Sequence, residues 1–149
     1  MTSVYRLSSA KYPANSGAGA ARFGGRWNKI GVPAIYAAES RSLAALEVLV
    51  HYDVIPRDFV VTEVRIPNSL HILIVEVADL SSGWDAEVIS STTQEIGNLW
   101  ANARRSAVLS VPSSVVPLER NFVINPLHPD FDRIEFSSSM PFRFDPRLK

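Results

Sequence analysis

The chain has no cysteine. That absence removes disulfides, thiolate nucleophiles and cysteine-built metal sites at once; it fits a cytosolic chain and leaves the redox compartment undetermined. An excess of charge of either sign is missing too: fifteen basic residues balance fifteen acidic ones. The counterion release that drives nucleic-acid affinity needs surplus cations, so a stand-alone DNA or RNA binder is disfavoured. Long apolar runs are lacking as well. Ile72-Leu73-Ile74-Val75 falls far short of the roughly 18 residues that suggest a membrane span. Met1-Thr2-Ser3-Val4-Tyr5-Arg6 has no basic region followed by an apolar one and is not a signal peptide. A cytoplasmic protein with no membrane attachment is expected.

What is present is apolar material for a core. At 149 residues and 46% hydrophobic content, one compact domain spanning 1–149 is expected. Ser3–Leu7 reads as a first strand, and residues 8 to 31 form a long segment rich in Gly, Ala, Ser and Asn. Long loops inside compact domains are usually functional. Pro33–Ala38 has strand length, Ser40 stands where an N-cap would, and Arg41–Tyr52 reads as a helix. Asp58–Ile66 and Leu70–Val77, separated by Pro67-Asn68-Ser69, predict an antiparallel hairpin. Ser91-Thr92-Thr93-Gln94 matches a capping box ahead of a helix to about Arg104. Ala107–Val111, Asn121–Ile124 and Arg133–Phe136 are strand-like runs punctuated by Pro112, Pro117, Pro126 and Pro129. Segment 78–90 reads as a surface connection. The pattern is α+β, with strands outnumbering helices.

The most informative stretch is Gly24-Gly25-Arg26-Trp27-Asn28, followed by Tyr36 and Glu47. Paired glycines allow close approach of a ligand to the backbone, and arginine offers a planar fork suited to phosphate oxygens. On pattern alone Arg26 reads equally as an ion-pair partner or an anion site. Glu47 shares a helix face with Leu43, Ala44, Val50 and His51. A carboxylate there is paired, exposed at the helix edge, or held for a purpose. Tyr36 reads as a core aromatic whose hydroxyl finds a partner, and Ser113, after Pro112, as a turn residue. His51 and His128 have no partner at metal-ligand spacing, so no metal is expected.

Taken together, these residues resemble the RES-domain proteins, the toxin halves of bacterial type II toxin–antitoxin pairs. The resemblance rests on Tyr5-Arg6-Leu7, Gly24-Gly25-Arg26-Trp27-Asn28, Ala34-Ile35-Tyr36-Ala37-Ala38 and Ala44-Ala45-Leu46-Glu47-Val48-Leu49. Val111-Pro112-Ser113 and Asn125-Pro126-Leu127-His128-Pro129 carry it further. Residues 78–105 have little family signature. The resemblance implies an ADP-ribosyltransferase-like core of small antiparallel or mixed sheets, a few helices and an NAD-binding cleft.

NAD consumption is implied with it: cleavage of the nicotinamide–ribose bond with phosphate or water as acceptor, or transfer of ADP-ribose to a protein. Glu47 then corresponds to the catalytic carboxylate, Tyr36 to the aromatic wall, Arg26 to the cation on the dinucleotide and Ser113 to the family's serine. Gly25, Trp27 and Asn28 would line the grip, with Arg6 as a second cation or a structural ion-pair partner. A partner is implied too, an Xre-type antitoxin with a helix-turn-helix portion and a segment that blocks the cleft. The resemblance allows a homodimer within the toxin–antitoxin complex, which no exposed heptad or apolar stripe of this sequence establishes. A non-catalytic nucleotide-binding or partner-binding module is the competing reading.

Overall fold

The computed structural model describes all 149 residues. Eight strands form one sheet: β1 (Thr2–Ser9), β2 (Ile35–Ala38), β3 (Phe59–Ile66), β4 (Ile72–Ile74), β5 (Val108–Pro112), β6 (Arg120–Ile124), β7 (Glu135–Phe136) and β8 (Met140–Phe142). They lie in the order β4-β5-β6-β2-β1-β3-β7, and β8 also pairs with β3. Three α-helices accompany them: α1 (Ala18–Phe23), α2 (Arg41–Leu49) and α3 (Ser91–Ala103). The architecture is α+β with a mixed sheet, as the sequence pattern indicates. No helix is long and apolar enough to cross a membrane.

The expected hairpin of residues 58–77 does not form. Pro67 does turn the chain, with Leu70 N–H donating to its carbonyl over 3.0 Å, but the chain does not return along β3. Both edges of β3 are already taken, by β1 on one side and by β7 and β8 on the other. β4 therefore leaves for the far end of the sheet and pairs in parallel with β5, Ile72 opposite Val108. A parallel pair needs a long crossover, and α3 supplies it. The segment 8–31 is also not all loop, since it contains α1.

α2 begins where expected. The Ser40 side chain accepts from the Leu43 N–H at 3.1 Å, supplying a partner for one of the orphan donors of the first turn. The helix stops at Leu49 rather than Tyr52. Leu43, Ala44 and Leu49 pack with Leu7, Ala38 and Phe59 in one core cluster. α3 is capped by Ser90, one residue before the expected Ser91. The capping box is therefore out of register, and Gln94 is released for another use.

The sheet is weakest between β1 and β2. β1 and β3 are in register over eight pairs, from Thr2 opposite Ile66 to Ser9 opposite Phe59, whereas β1 and β2 share the single pair Tyr5 and Ala38. Where the ladder fails, Arg6 Nη1 donates to the Tyr36 carbonyl at 3.0 Å. A side chain there does the work of a missing backbone bond.

Candidate active site

The glycine stretch is a tight turn. Gly25 N–H donates to the Asn28 carbonyl at 2.9 Å and Asn28 N–H returns the bond at 3.4 Å, which puts Arg26 and Trp27 at its tip. A Cβ on Gly25 would stand 2.8 Å from both Asn28 Oδ1 and the Tyr36 hydroxyl, so the position admits only glycine. The Tyr36 hydroxyl donates to Asn28 Oδ1 at 2.6 Å and accepts from Trp27 N–H at 3.1 Å. Asn28, almost fully buried, uses Nδ2 on the carbonyls of Ala20 and Val32. Burial raises the Tyr36 phenol above its ordinary range, against smaller lowering from the Trp27 bond and the Arg26 charge. The hydroxyl is thus a neutral donor that fixes the turn.

Two residues of this stretch make contacts within the protein. Trp27 is 3% exposed and packs its ring 6.4 Å from that of Trp84; it is a core tryptophan. Arg26 donates from Nη1 to the Trp84 carbonyl at 2.7 Å and from Nη2 to the Ala86 carbonyl at 2.9 Å. A guanidinium carries five N–H donors, so three remain on a half-buried side chain.

The segment read as a mere surface connection is therefore strapped to the turn, and α3 supports it from beneath. Gln94 Nε2 donates to the carbonyls of Gly25 and Asn28 at 3.0 and 3.3 Å. A Cβ on Gly97 would lie 1.6 Å from the Trp27 carbonyl oxygen, so the helix touches the turn backbone to backbone. None of these three contacts has a motif. The one available signal was a glycine inside a helical segment, which lowers helix propensity and marks a close approach.

Glu47 forms a second cluster. It is half-buried on α2 and accepts on Oε2 from the Ser113 hydroxyl at 2.9 Å. The same oxygen accepts a short bond from Asn121 Nδ2. No Lys, Arg or His lies within ion-pair distance. Leu43 and Ala44 on the same helix face are buried as the spacing predicts, whereas Val50 and His51 are exposed because the helix has ended. Asn121 was not among the residues anticipated.

Strand register relates the two clusters. Tyr36 lies opposite Val123, and Ala38 opposite Asn121. Paired residues and residues two apart share a face, so Tyr36 and Asn121, and with it Glu47, lie on one side of the sheet. Arg6 follows Tyr5, the partner of Ala38, and so projects to the opposite side. Burial lowers its guanidinium to about 10, and Nε has no partner. Two concavities, of about 460 and 200 Å³, lie elsewhere, around Pro67–Ile72 and between Gly31–Pro33 and the end of α3.

The RES domain family matches residues 3–145. The chain belongs to that family. Among its relatives, the RES protein "Toxin Res" of Photorhabdus laumondii is 44% identical over 97% of this chain and 96% of its own. The "Prs ADP-ribosylating toxin" of a Sphingobium species is 42% identical over 89% and 85%. "Toxin Res" of Yersinia enterocolitica is 40% identical over 98% and 99%. A solved relative, in the M. tuberculosis MbcT-MbcA toxin–antitoxin complex, superposes with a TM-score of 0.75 over 98% of this chain and 85% of that one, at 21% identity. The RES domain here therefore has the fold of that structure, with the glycine turn and Glu47 on one face of its sheet.

Proposed function

We propose that this chain is the toxin of a type II toxin–antitoxin pair and that it inhibits growth by breaking the nicotinamide–ribose bond of NAD. One observation carries the chemistry. Glu47 is held by two neutral donors on one oxygen, with no cation to neutralise it. Cleavage of an N-glycosidic bond develops oxocarbenium character on the ribose. A fixed carboxylate that accepts from a ribose hydroxyl and faces that charge lowers the barrier.

Nicotinamide departs as a neutral molecule, so the general acid that a glycosidase offers an alkoxide-like leaving group is unnecessary. The electron pair of the C–N bond leaves with nicotinamide, and an oxygen of phosphate or water bonds to the anomeric carbon. With phosphate the products are nicotinamide and ADP-ribose 1-phosphate; with water they are nicotinamide, ADP-ribose and a proton. Tyr36 forms the aromatic wall, and Gly25 and Asn28 hold the turn beside the dinucleotide. Arg26, through its three remaining N–H groups, supplies positive charge for the pyrophosphate, whereas Arg6, on the other side of the sheet, holds the Tyr36 carbonyl. Ser113 fixes Glu47, and Trp27 supports the turn from the core.

The name of the Sphingobium relative favours a second reading, transfer of ADP-ribose to a protein. Incubating the purified chain with NAD, with and without inorganic phosphate and with a cell extract as protein acceptor, separates the routes by product. NAD unchanged in every mixture would exclude all three. The solved structure of the same fold contains an antitoxin, which supports an antitoxin partner here; our reading makes it a helix-turn-helix protein that covers the Glu47 face. Co-expression with a cognate helix-turn-helix antitoxin should restore growth and yield a co-purifying complex.

A further inference from the structure

Both donors to Glu47 end on Oε2, and Oε1 has no protein partner. The two donors are prepared differently. The Ser113 oxygen accepts from Val115 N–H and Val116 N–H, both at 3.0 Å, so its lone pairs are occupied and its single hydrogen points at Glu47. Asn121 comes from β6, opposite Ala38 and Val111. Its Oδ1 is buried with no partner at all.

An orphaned buried acceptor destabilises a fold, and an apolar residue at 121 would avoid it. The amide cannot be turned to relieve it, because Oδ1 would then face the carboxylate, acceptor against acceptor. The chain thus keeps an unsatisfied oxygen while delivering one N–H to Glu47.

We propose that Asn121 is the positioning residue of the catalytic carboxylate. With Ser113 it pins Oε2, so that Oε1 alone is presented to the ribose hydroxyl. This rests on Glu47 acting as proposed above, and it adds a residue outside the stretches on which the resemblance rests.

The test compares Asn121→Ala and the near-isosteric Asn121→Asp with Glu47→Gln and the exchanged pair Glu47→Gln/Asn121→Asp. In the two Asn121 variants kcat for NAD should fall about 30- to 100-fold while KM stays within about twofold, the signature of an interaction that matters in the transition state. The exchanged pair removes the carboxylate–carboxylate repulsion of Asn121→Asp, but with the amide oxygen at position 47 held by Ser113 it returns no hydrogen bond to the carboxylate at position 121. It should recover part of the melting temperature lost in Asn121→Asp and stay as inactive as Glu47→Gln.

A kcat within threefold of wild type in both single variants, a rise confined to KM, or activity in the exchanged pair overturns the proposal. Should Asn121→Ala not fold, the Asp variant and the exchanged pair decide. Growth arrest is scored in parallel. If the wild type leaves NAD intact, the NAD reading falls, and Asn121 stands only if its variants lose growth arrest together with Glu47→Gln. Arrest retained in them but lost in Glu47→Gln refutes the positioning role.

Discussion

Ser113 Oγ donates to Glu47 Oε2 over 2.9 Å across 66 residues of sequence, so the end of β5 and the middle of α2 meet on a single oxygen. Replacing Glu47 with Gln keeps the shape and removes the charge. NAD turnover should fall at least about 100-fold, the scale of losing one electrostatic stabiliser. The fold should persist, because an amide oxygen still accepts from Ser113. Turnover and thermal melting measured on one preparation check both parts; retained turnover would remove Glu47 from the chemistry.

Ser113→Ala acts on stability and on rate. Two backbone N–H groups lose their acceptor, a loss of about 1–3 kcal/mol. In a chain of this length each kcal/mol lowers Tm by roughly 2–4 °C. Loss of one of two clamps on Glu47 should lower kcat about tenfold with KM little changed. A Tm equal to wild type would show that the 113–119 turn does not depend on the hydroxyl.

Tyr36→Phe removes one donor and one acceptor from the glycine turn, and about 1–3 kcal/mol of stability should go with them. The pH dependence has a definite sign. Burial raises the folded-state pKa of Tyr36, so the folded chain keeps a proton that the unfolded chain releases above about pH 10. The stabilisation is complete below that pH and declines as pH rises beyond it. Urea melts from pH 8 to 11 should show wild type losing more stability than Tyr36→Phe.

Arg26→Lys keeps the charge and loses the planar fork. The carbonyls of Trp84 and Ala86 cannot both be reached by one ammonium, so amide exchange across 82–90 should quicken while the sheet stays protected. Unchanged exchange there would mean that the Trp27–Trp84 packing alone holds the strap.

Much of the early part of the fold was readable. Ser40, the Ser3–Leu7 strand and the apolar spacing of α2 are local signals, and the structure follows them. The pairing of β4 was not readable, because it depends on which edges of β3 are free, a property of the assembled sheet. The turn was legible as a glycine-rich loop, and Glu47 and Ser113 as members of a motif set. Their supports were not. Asn121 sits in an ordinary strand, and Gln94 satisfies a capping-box pattern while serving the turn instead. Trp84 and Ala86 contribute carbonyl oxygens, which every residue has.

Gly97 runs against an otherwise general rule. Alanine in a helix interior is normally about 1 kcal/mol better than glycine, and Gly97→Ala looks like a routine stabilising change. Here the added methyl would overlap the Trp27 carbonyl at 1.6 Å, and since that atom is backbone, α3 itself would have to retreat. A drop in Tm on Gly97→Ala, with Gly19→Ala as a control that meets nothing within 4 Å, measures that contact; a rise would show that α3 can move freely. The spacing between α3 and the turn is thus set by a missing atom, so any attempt to harden this protein by helix-propensity redesign would pry open the Gly25–Asn28 turn first.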